Sequence, residues 1–428
     1  MNRNAATSQR TVKRPARTED EPRYVVGIDA HSKVLAISVW DWSDRLNAAP
    51  CGDFKSVPLA AMAKTYAKNI DPDSITLIEA STNSAAIKRE LNELGFRAEI
   101  VRSDTIAGRE RLRKVCDIQD ARNLARAYIK GNVEEFVWTP SDKYANYRDI
   151  AFAYRDACKD LKRLSNRIWN MCSQNRLALP PSSSVAKVKH VRSLVAGFGK
   201  EDFVGIRLGM MADDYERLMK RREELDRIMA GIVIGDMGML RLMQLPGISH
   251  KAAFVTWAAV EDPRRFETAA KLVAYGGLSP TLNTSGDEEL MAAKRGGSGK
   301  PLDHDGRRDL KFFYVEAGNT VMNLCSKTAL GKWGWRRFNS GKPKMKVLCA
   351  VGHKLLTYDA WHIMLEHPTP NRDSEAMFLR KLARLCRTVG DDKLKSLGYA
   401  TRKDFYRKMA ECIYSHLPEQ PTGESENP

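Results

Sequence analysis

The stretch Tyr24-Val25-Val26-Gly27-Ile28-Asp29 decides the fold, because it is a short apolar segment that ends on a carboxylate. Five mostly β-branched or aromatic residues are too few for a helix and are typical of a buried strand. A second strand-like segment, Val34 to Trp40, follows after a short turn. We therefore expect paired strands, with Asp29 at the carboxyl end of the first.

The composition indicates a soluble protein with an anionic partner. The chain has 428 residues, enough for two or three domains with a sizeable core. Lys and Arg outnumber Asp and Glu by 70 to 53, and the net charge of +17 favours a polyanion over the alternative of a basic surface with no specific partner. Eight cysteines without C-x-x-C spacing fit the reduced thiols of a cytoplasm. No apolar segment is long enough to span a membrane, so we expect a cytoplasmic, nucleoid-associated protein with no membrane partner.

Further strands and helices alternate after the first two strands. Ser74 to Ala80 is a second buried-strand candidate that closes on a carboxylate, Glu79. Asn83 to Leu94 has the pattern of an amphipathic helix, and Arg97 to Val101 that of a short strand. This alternation predicts an α/β sheet that is at least partly parallel.

Asp117 and Asp120 are three residues apart and share one face of a predicted helix. Two carboxylates on adjacent turns repel each other, and a divalent cation with oxygen ligands such as Mg²⁺ reverses that cost. A solvated helix start, where Asp is favoured, is the better interpretation of this pair alone. Together with Asp29 and Glu79, however, the pair can form a four-carboxylate site for two metal ions, an arrangement that cleaves phosphodiesters.

Two series of apolar residues at steps of three and four predict two long helices in the middle of the chain. The first series is Tyr147, Ile150, Tyr154, Ala157, Leu161, Leu164, Ile168 and Met171. The second is Leu208, Met211, Tyr215, Leu218, Leu225, Met229 and Ile232, and Arg222 interrupts it between Leu218 and Leu225. They indicate a helical arm that pairs either with itself or with another protomer. The sequence leaves both alternatives open.

A loop rich in Gly, Ser and Thr, from Gly276 to Gly286, contains Ser285. A serine on such a loop near cations can act as a nucleophile towards phosphorus, although a serine in a loop is far more often only a turn former. The basic residues that follow, and that we expect to contact nucleic acid, are Lys294, Arg295, Lys300, Arg307 and Arg308. His31 and Lys33, beside Asp29, are further candidates for phosphate contacts or for support of the acids.

Several motifs in order carry a resemblance to a known family. They are Gly27-Ile28-Asp29, then Glu79, Asp117-x-x-Asp120-Ala-x-x-Leu-Ala, Leu245-Pro-Gly-Ile248, Tyr275-Gly-Gly-Leu-Ser-Pro280 and Ser285-Gly286. Over about Tyr24 to His367, the chain resembles the IS-one-ten family of insertion-sequence transposases, whose relatives include Piv-type DNA invertases. The family's Gly-Asn before the late Arg-rich helix stands here as Gly306-Arg307.

The resemblance implies an α/β RuvC-like (ribonuclease H-type) domain, a helical coiled-coil arm and a mostly α-helical C-terminal transposase domain. The expected boundaries are a basic flexible arm at 1–22, the RuvC-like domain at 23–140, the arm at 141–237, the serine transposase domain at 238–367 and an extension at 368–428. We expect the extension to form two or three basic amphipathic helices and to end in a disordered tail.

The resemblance further implies a DNA transposase or recombinase that exchanges strands. Asp29, Glu79, Asp117 and Asp120 would bind Mg²⁺, as two ions, and Ser285 would link covalently to DNA. The implied partners are double-stranded donor and target DNA, a structured bridge RNA as guide, and further copies of the chain in a dimer or tetramer. The alternatives are a RuvC-like structure-specific nuclease, a site-specific DNA invertase without an RNA guide, and a non-catalytic nucleic-acid-binding scaffold.

Overall fold

The computed structural model describes residues 21–44, 47–102, 116–133, 135–279, 306–369 and 371–414. The chain divides into two compact units between Thr139 and Pro140. The strands of the described residues all lie in the first unit, and the second is helical.

The first unit contains, in chain order, β1 Tyr24–Ala30, β2 Val34–Asp41, β3 Ala49–Pro58, α1 Met62–Asn69, β4 Ser74–Glu79, α2 Ser84–Glu93, β5 Arg97–Val101 and α3 Asp117–Ile129. The strands form one sheet in the order β3-β2-β1-β4-β5. β1 pairs with β2, and β2 with β3, in antiparallel fashion, whereas β1 with β4 and β4 with β5 are parallel. The predicted partly parallel α/β sheet is confirmed.

Both faces of this sheet are covered, which explains the continuous apolar segments in its central strands. On one face, β1 and β2 residues such as Ile28 and Ile37 pack in one cluster with Tyr66 of α1 and Leu91 of α2. On the other face, alternate strand residues such as Val25, Trp40 and Leu77 pack with Leu124, Ala125 and Tyr128 of α3. The helix that carries the predicted acid pair therefore lies directly on the sheet.

The second unit contains α4 Asp142–Gln174, α5 Ser184–Ala196, α6 Phe203–Val233, α7 Met237–Leu242, α8 His250–Val260, α9 Ala269–Tyr275, α10 Arg308–Leu324, α11 Ala329–Asn339, α12 Lys344–Lys354, α13 Trp361–Met364, α14 Glu375–Val389, α15 Asp391–Ser396 and α16 Arg402–Tyr414. A π-helical turn, Leu355–Ala360, joins α12 to α13. No helix of the described residues is long and apolar enough to cross a membrane.

The two long helices predicted from their apolar series are α4 and α6, and they pack against each other within one chain. Leu161, Leu164 and Ile168 of α4 share a cluster with Leu208 and Tyr215 of α6. Helix α5, which the sequence analysis did not predict, packs in the same cluster through Val188 and Val191. Self-pairing is thus the arrangement present in the structure.

The C-terminal segment 371–414 packs into the main core of the second unit. Phe378, Leu382 and Leu385 of α14 and Phe405 and Met409 of α16 are buried in the same cluster as α8 and α10. A buried ion pair between Lys381 and Asp373, 2.6 Å apart, also fixes this segment, and the same ammonium donates to the carbonyl of Met243 at 2.9 Å.

Candidate functional site

The parallel pairing of β1 with β4 brings two predicted acids to the same edge of the sheet. Ile28 of β1 lies opposite Ile78 of β4, so the residues that follow, Asp29 and Glu79, lie side by side near the carboxyl ends of their strands. Asp29 is largely enclosed, with 14% of its side chain exposed. The apolar segments on both strands fix this register, because a slip by one residue would turn the buried side chains to the opposite face.

Helix α3 approaches β1 unusually closely, and Gly27 makes the approach possible. A Cβ at Gly27 would lie 1.9 Å from the carbonyl oxygen of Ala121 and 3.2 Å from the backbone nitrogen of Ala125. Backbone therefore touches backbone, and the small Ala121 and Ala125, both fully buried, are part of that contact. The contact places the first turn of α3, with Asp117 and Asp120, beside the carboxyl end of β1.

His31 lies between two of the acids. Its Nε2 is 3.4 Å from Oδ2 of Asp29 and 3.3 Å from Oδ2 of Asp117. One donor atom from each of these three residues lies within 4.8 Å of the other two. Asn83, just before α2, donates through Nδ2 to the backbone carbonyl of His31 at 2.8 Å and so holds the turn that presents the imidazole.

The electrostatics of Asp29 report the same convergence. Burial, the largest cause, and the nearby carboxylates of Glu79, Asp120 and Asp117 raise the pKa of Asp29 to about 6, against an opposing effect of His31. Asp29 thus interacts electrostatically with all three of the other predicted acids. The described residues bring Asp29, Glu79, Asp117 and Asp120 together at one edge of the sheet, and we call this group the acid cluster.

The acid cluster fits a divalent cation. Its four carboxylates offer only hard oxygen ligands, the kind that Mg²⁺ prefers. The raised pKa of Asp29 shows that ionising the cluster costs free energy in the absence of a cation, and a bound cation would remove that cost. All four acids are partly buried or exposed, so an ion can reach them.

A second contact fixes α3 to another strand of the same sheet, β3. The guanidinium of Arg122 donates to Oδ2 of Asp53 on β3, with Nε at 3.0 Å. The Arg122 hydrogen bonds hold the pKa of Asp53 below its usual range. The sequence alone does not indicate that Gly27, Asn83 and the Arg122–Asp53 pair support the site, because their roles depend on elements that are distant in the chain.

In the second unit, Arg307 and Arg308 line a cleft of about 410 Å³ together with Phe152, Arg155 and Tyr275. The guanidinium carbons of Arg155 and Arg307 lie 5.0 Å and 4.8 Å from the centre of the Phe152 ring. The cleft therefore has an aromatic wall and a high density of cationic donors, which suits an oxyanion such as a phosphate.

Arg307 is held rigidly, whereas Arg308 is exposed. Arg307 donates through Nε, at 3.0 Å, and through Nη2, at 2.5 Å, to the two carboxylate oxygens of Asp309, which is fully buried. Burial opposes the charge on Arg307, yet its bonds to Asp309 leave the pKa of Arg307 above its usual range. Arg307 therefore stays charged at the wall of the cleft.

The two ends of the segment that carries Ser285 meet at this cleft. The backbone N–H of Arg307 donates to the carbonyl of Tyr275 at 2.7 Å. A Cβ on Gly306 would lie 2.2 Å from the backbone nitrogen of Gly277, so only glycine fits there. Ser285, Lys294, Arg295 and Lys300 lie outside the described residues, whereas Lys33 is exposed in the turn between β1 and β2.

Comparison with known proteins gives two similarities. Residues 239–300 match a family model described as "Transposase IS116/IS110/IS902 family"; IS110 is the IS-one-ten family of the resemblance above. A "Probable family 20 transposase" of Pseudomonas aeruginosa is 20% identical over 285 residues, which cover 62% of this chain and 76% of that protein. The matched segment 239–300 runs from α7 through the cleft residue Tyr275 to the position of Ser285.

Proposed function

We propose that this protein is a DNA transposase of the strand-exchange type, with a ribonuclease H-type first unit. The convergence of four carboxylates around Asp29 is the observation that carries the proposal, since a structural sheet edge gains nothing from it. The transposase similarity of residues 239–300 supports DNA as the substrate. The net charge of +17 fits a partner with a phosphate backbone.

Asp29, Glu79, Asp117 and Asp120 would hold Mg²⁺, as two ions. Bound there, Mg²⁺ would supply positive charge next to a phosphodiester and stabilise the charge that develops on its oxygens. Gly27 and the Arg122–Asp53 pair keep α3 against the sheet and so keep the four oxygen donors within reach of one another. His31 would orient Asp29 and Asp117 through its contacts with both.

Ser285 would be the nucleophile. Its Oγ attacks phosphorus, the new Oγ–P bond forms as the P–O3′ bond breaks, and the proton lost by the hydroxyl is balanced by the proton gained by the released 3′-oxygen. The serine ester retains the free energy of the phosphodiester, so a second 3′-hydroxyl can reverse the step and join a new strand. Arg307 and Arg308, at the C-terminal end of the segment that carries Ser285, would bind the phosphate oxygens, with Lys294, Arg295, Lys300 and Lys33 as further nucleic-acid contacts.

The partners in this proposal are double-stranded donor and target DNA, a structured guide RNA and further copies of the chain. The acids of one protomer would act with the serine of another, in a dimer or a tetramer. The helical arm of α4, α5 and α6 pairs with itself in one chain, and large hydrophobics of α6, such as Phe203 and Met210, remain exposed at 85% and 65%. Those exposed side chains are compatible with contact between protomers.

A covalent-adduct assay tests the proposal. The full chain is incubated with Mg²⁺, labelled DNA from the flanks of its own gene and RNA transcribed from those flanks, and is then denatured in detergent. We expect labelled DNA to migrate with the protein and a peptide containing residue 285 to carry the nucleotide. Ser285→Ala and Asp29→Asn should each abolish the adduct, whereas the neighbouring Ser279→Ala should retain it.

The same assay separates the alternatives. Nicked DNA without attached protein would show that the enzyme hydrolyses DNA and does not exchange strands, which favours the structure-specific nuclease. An adduct that forms equally well without RNA would favour the invertase without a guide. Binding that does not depend on Mg²⁺ and is unaffected by Asp29→Asn, with neither product, would leave a non-catalytic scaffold.

A further inference from the structure

The segment that contains α11 and α12 has a strong positive charge. The segment from Lys327 to Lys354 contains no Asp or Glu and has eight cationic side chains, Lys327, Lys332, Arg336, Arg337, Lys342, Lys344, Lys346 and Lys354. The next two acids are already engaged: Asp359 is buried and accepts from Thr369 at 2.5 Å, and Glu366 pairs with Arg241 at 2.9 Å. The positive charge on the surface of this segment therefore favours the binding of an external polyanion.

Aromatic rings are interleaved with these cations. Gly334 faces the core, where a Cβ would meet Met322 and Val351, so the preceding and following residues, Trp333 and Trp335, flank the helix on its two sides. Trp335 and Phe338 are each 37% exposed and pack edge to face with ring centres 5.5 Å apart. Exposed large aromatic residues grouped in this way mark an interaction site.

One part of the surface is already ordered. The ammonium of Lys354 lies 4.9 Å from the ring centres of both Trp333 and Tyr358, and the guanidinium of Arg337 lies 5.5 Å from the Trp333 ring. Tyr358 is 53% exposed, so its ring remains available to a ligand. Cations held on aromatic rings have lost part of their conformational freedom, which lowers the entropic cost of binding.

We propose that this aromatic–basic face, made of Trp333, Trp335, Phe338, Tyr358 and the eight cations, binds single-stranded DNA. The cations match a phosphate backbone, and the rings match bases whose faces are free to stack. A duplex hides those faces inside its own stack, so it would use the cations alone. The choice of DNA rests on the proposed function, since strands that are exchanged are unpaired during the exchange.

The test measures the affinity of the full chain for a labelled mixed-sequence 20-nucleotide DNA strand, for its duplex and for the same sequence as RNA. It is done in EDTA by fluorescence anisotropy over a range of salt concentrations. We expect the single strand to bind at least about tenfold more tightly than the duplex. RNA within tenfold of DNA agrees with the proposal, because neither stacking nor phosphate contacts read the 2′-hydroxyl; RNA that binds more than tenfold more tightly assigns the face to RNA and overturns it.

Two variants separate stacking from charge. Tyr358→Ala should weaken single-strand binding by about tenfold without changing its salt dependence. The triple variant Arg336→Gln/Lys342→Gln/Lys344→Gln should make the negative slope of log affinity against log salt shallower by about 2. A matched variant with three exposed cations neutralised on α15 and α16, Lys393→Gln/Lys395→Gln/Lys403→Gln, should leave the slope near that of the wild type.

Unchanged affinity in both test variants, with melting curves like that of the wild type, would overturn the proposal. An equal loss in the matched variant would also overturn it, because it would show a diffuse charge effect. EDTA removes the ions needed for strand exchange, so these results do not depend on Ser285 or on the acid cluster. Failure here and failure of the adduct assay are therefore distinguishable.

Discussion

Replacing Gly27 by Ala should damage the acid cluster without removing any acid. The added Cβ would lie 1.9 Å from the carbonyl oxygen of Ala121, at least 1.1 Å closer than the 3.0 Å that real Cβ atoms respect. The obstacle is backbone, so no change of rotamer relieves it, and α3 must move away from β1 by about that distance. Asp117 and Asp120 move with it.

The losses of stability and of reaction rate can both be estimated from this displacement of α3. Overpacking against backbone costs about 3 kcal/mol, at the upper end of such substitutions, and lowers the melting temperature by something on the order of 10 °C. A misplacement of about 1 Å in a catalytic group costs roughly 100-fold in rate. We therefore expect Gly27→Ala to fold at low temperature, to melt earlier, and to form the serine–DNA adduct roughly 100-fold more slowly.

Thermal melting and adduct kinetics check this prediction, with Gly52→Ala as the matched control. Gly52 is on β3 of the same sheet, and the nearest atom to a Cβ there is the Phe54 side chain at an ordinary 3.6 Å. The control should melt and react like the wild type. A Gly27→Ala protein with wild-type melting and wild-type rate would refute the inference that the backbone contact positions α3.

Three further predictions concern charged groups. Burial and neighbouring carboxylates raise the pKa of Asp29 to about 6, so the ionised side chain destabilises the fold. In EDTA, Asp29→Asn should therefore raise the free energy of unfolding by about 1 to 2 kcal/mol at pH 7.5. This is less than the free energy that corresponds to the full pKa shift, because solvent screens the charge. The destabilisation by the ionised carboxylate develops as the pH rises from the unfolded-state pKa of about 4 to the folded-state pKa of about 6 and is complete above it, so the gain should disappear as the pH falls towards 4. Arg122→Ala should lower the urea concentration at the midpoint of unfolding, because it leaves the half-buried Asp53 without its main donor. Arg307→Ala should cost about 3 to 5 kcal/mol in the same measurement, because the fully buried Asp309 then loses its counter-charge.

Each of these predictions has an opposing result. A loss of stability in Asp29→Asn at pH 7.5 would mean that the carboxylates do not crowd one another. Arg308→Ala is the control for Arg307, because Arg308 is exposed in the same cleft, and it should change stability by less than about 0.5 kcal/mol. Equal effects of the two substitutions would contradict the role given to the Arg307–Asp309 pair.

The strands that carry the site could be predicted because their signal is local. Tyr24 to Asp29 and Ser74 to Glu79 are apolar segments of strand length that end on acids, and they form β1 and β4. β3, Ala49–Pro58, was not predicted, because it lies at the edge of the sheet and most of its residues are exposed or half-buried. An edge strand with little burial leaves little apolar pattern to detect.

Contacts between distant elements could not be predicted. Gly27 looks like a gap in an apolar strand, and only the position of Ala121 shows why glycine is required. In α4 the predicted series holds from Tyr154 to Met171, but nearer the start of the helix Arg148 is buried in place of Tyr147. Arg148 turns inward because it donates to the carbonyl oxygens of Ala258 and Ala259 at the end of α8, at 2.8 and 2.6 Å.

The C-terminal segment shows a similar limit. Its amphipathic helices could be predicted from their pattern, and α14 and α16 are present. Their partner could not, because an apolar stripe does not identify the surface that covers it. The structure places Phe378 and Phe405 in the main core of the second unit, so removal of the segment should expose that core.

The measurement that tests the central claim most directly is anomalous scattering from crystals of the full chain soaked with Mn²⁺, which replaces Mg²⁺ at oxygen sites. If the acid cluster binds metal as proposed, we expect an anomalous peak for a Mn²⁺ ion. That ion should be bound by a carboxylate oxygen of Asp29 and by oxygens of at least two of Glu79, Asp117 and Asp120. Asp29→Asn crystals should lose that peak. Wild-type crystals without it, or with Glu79 turned away from Asp29, would contradict the account.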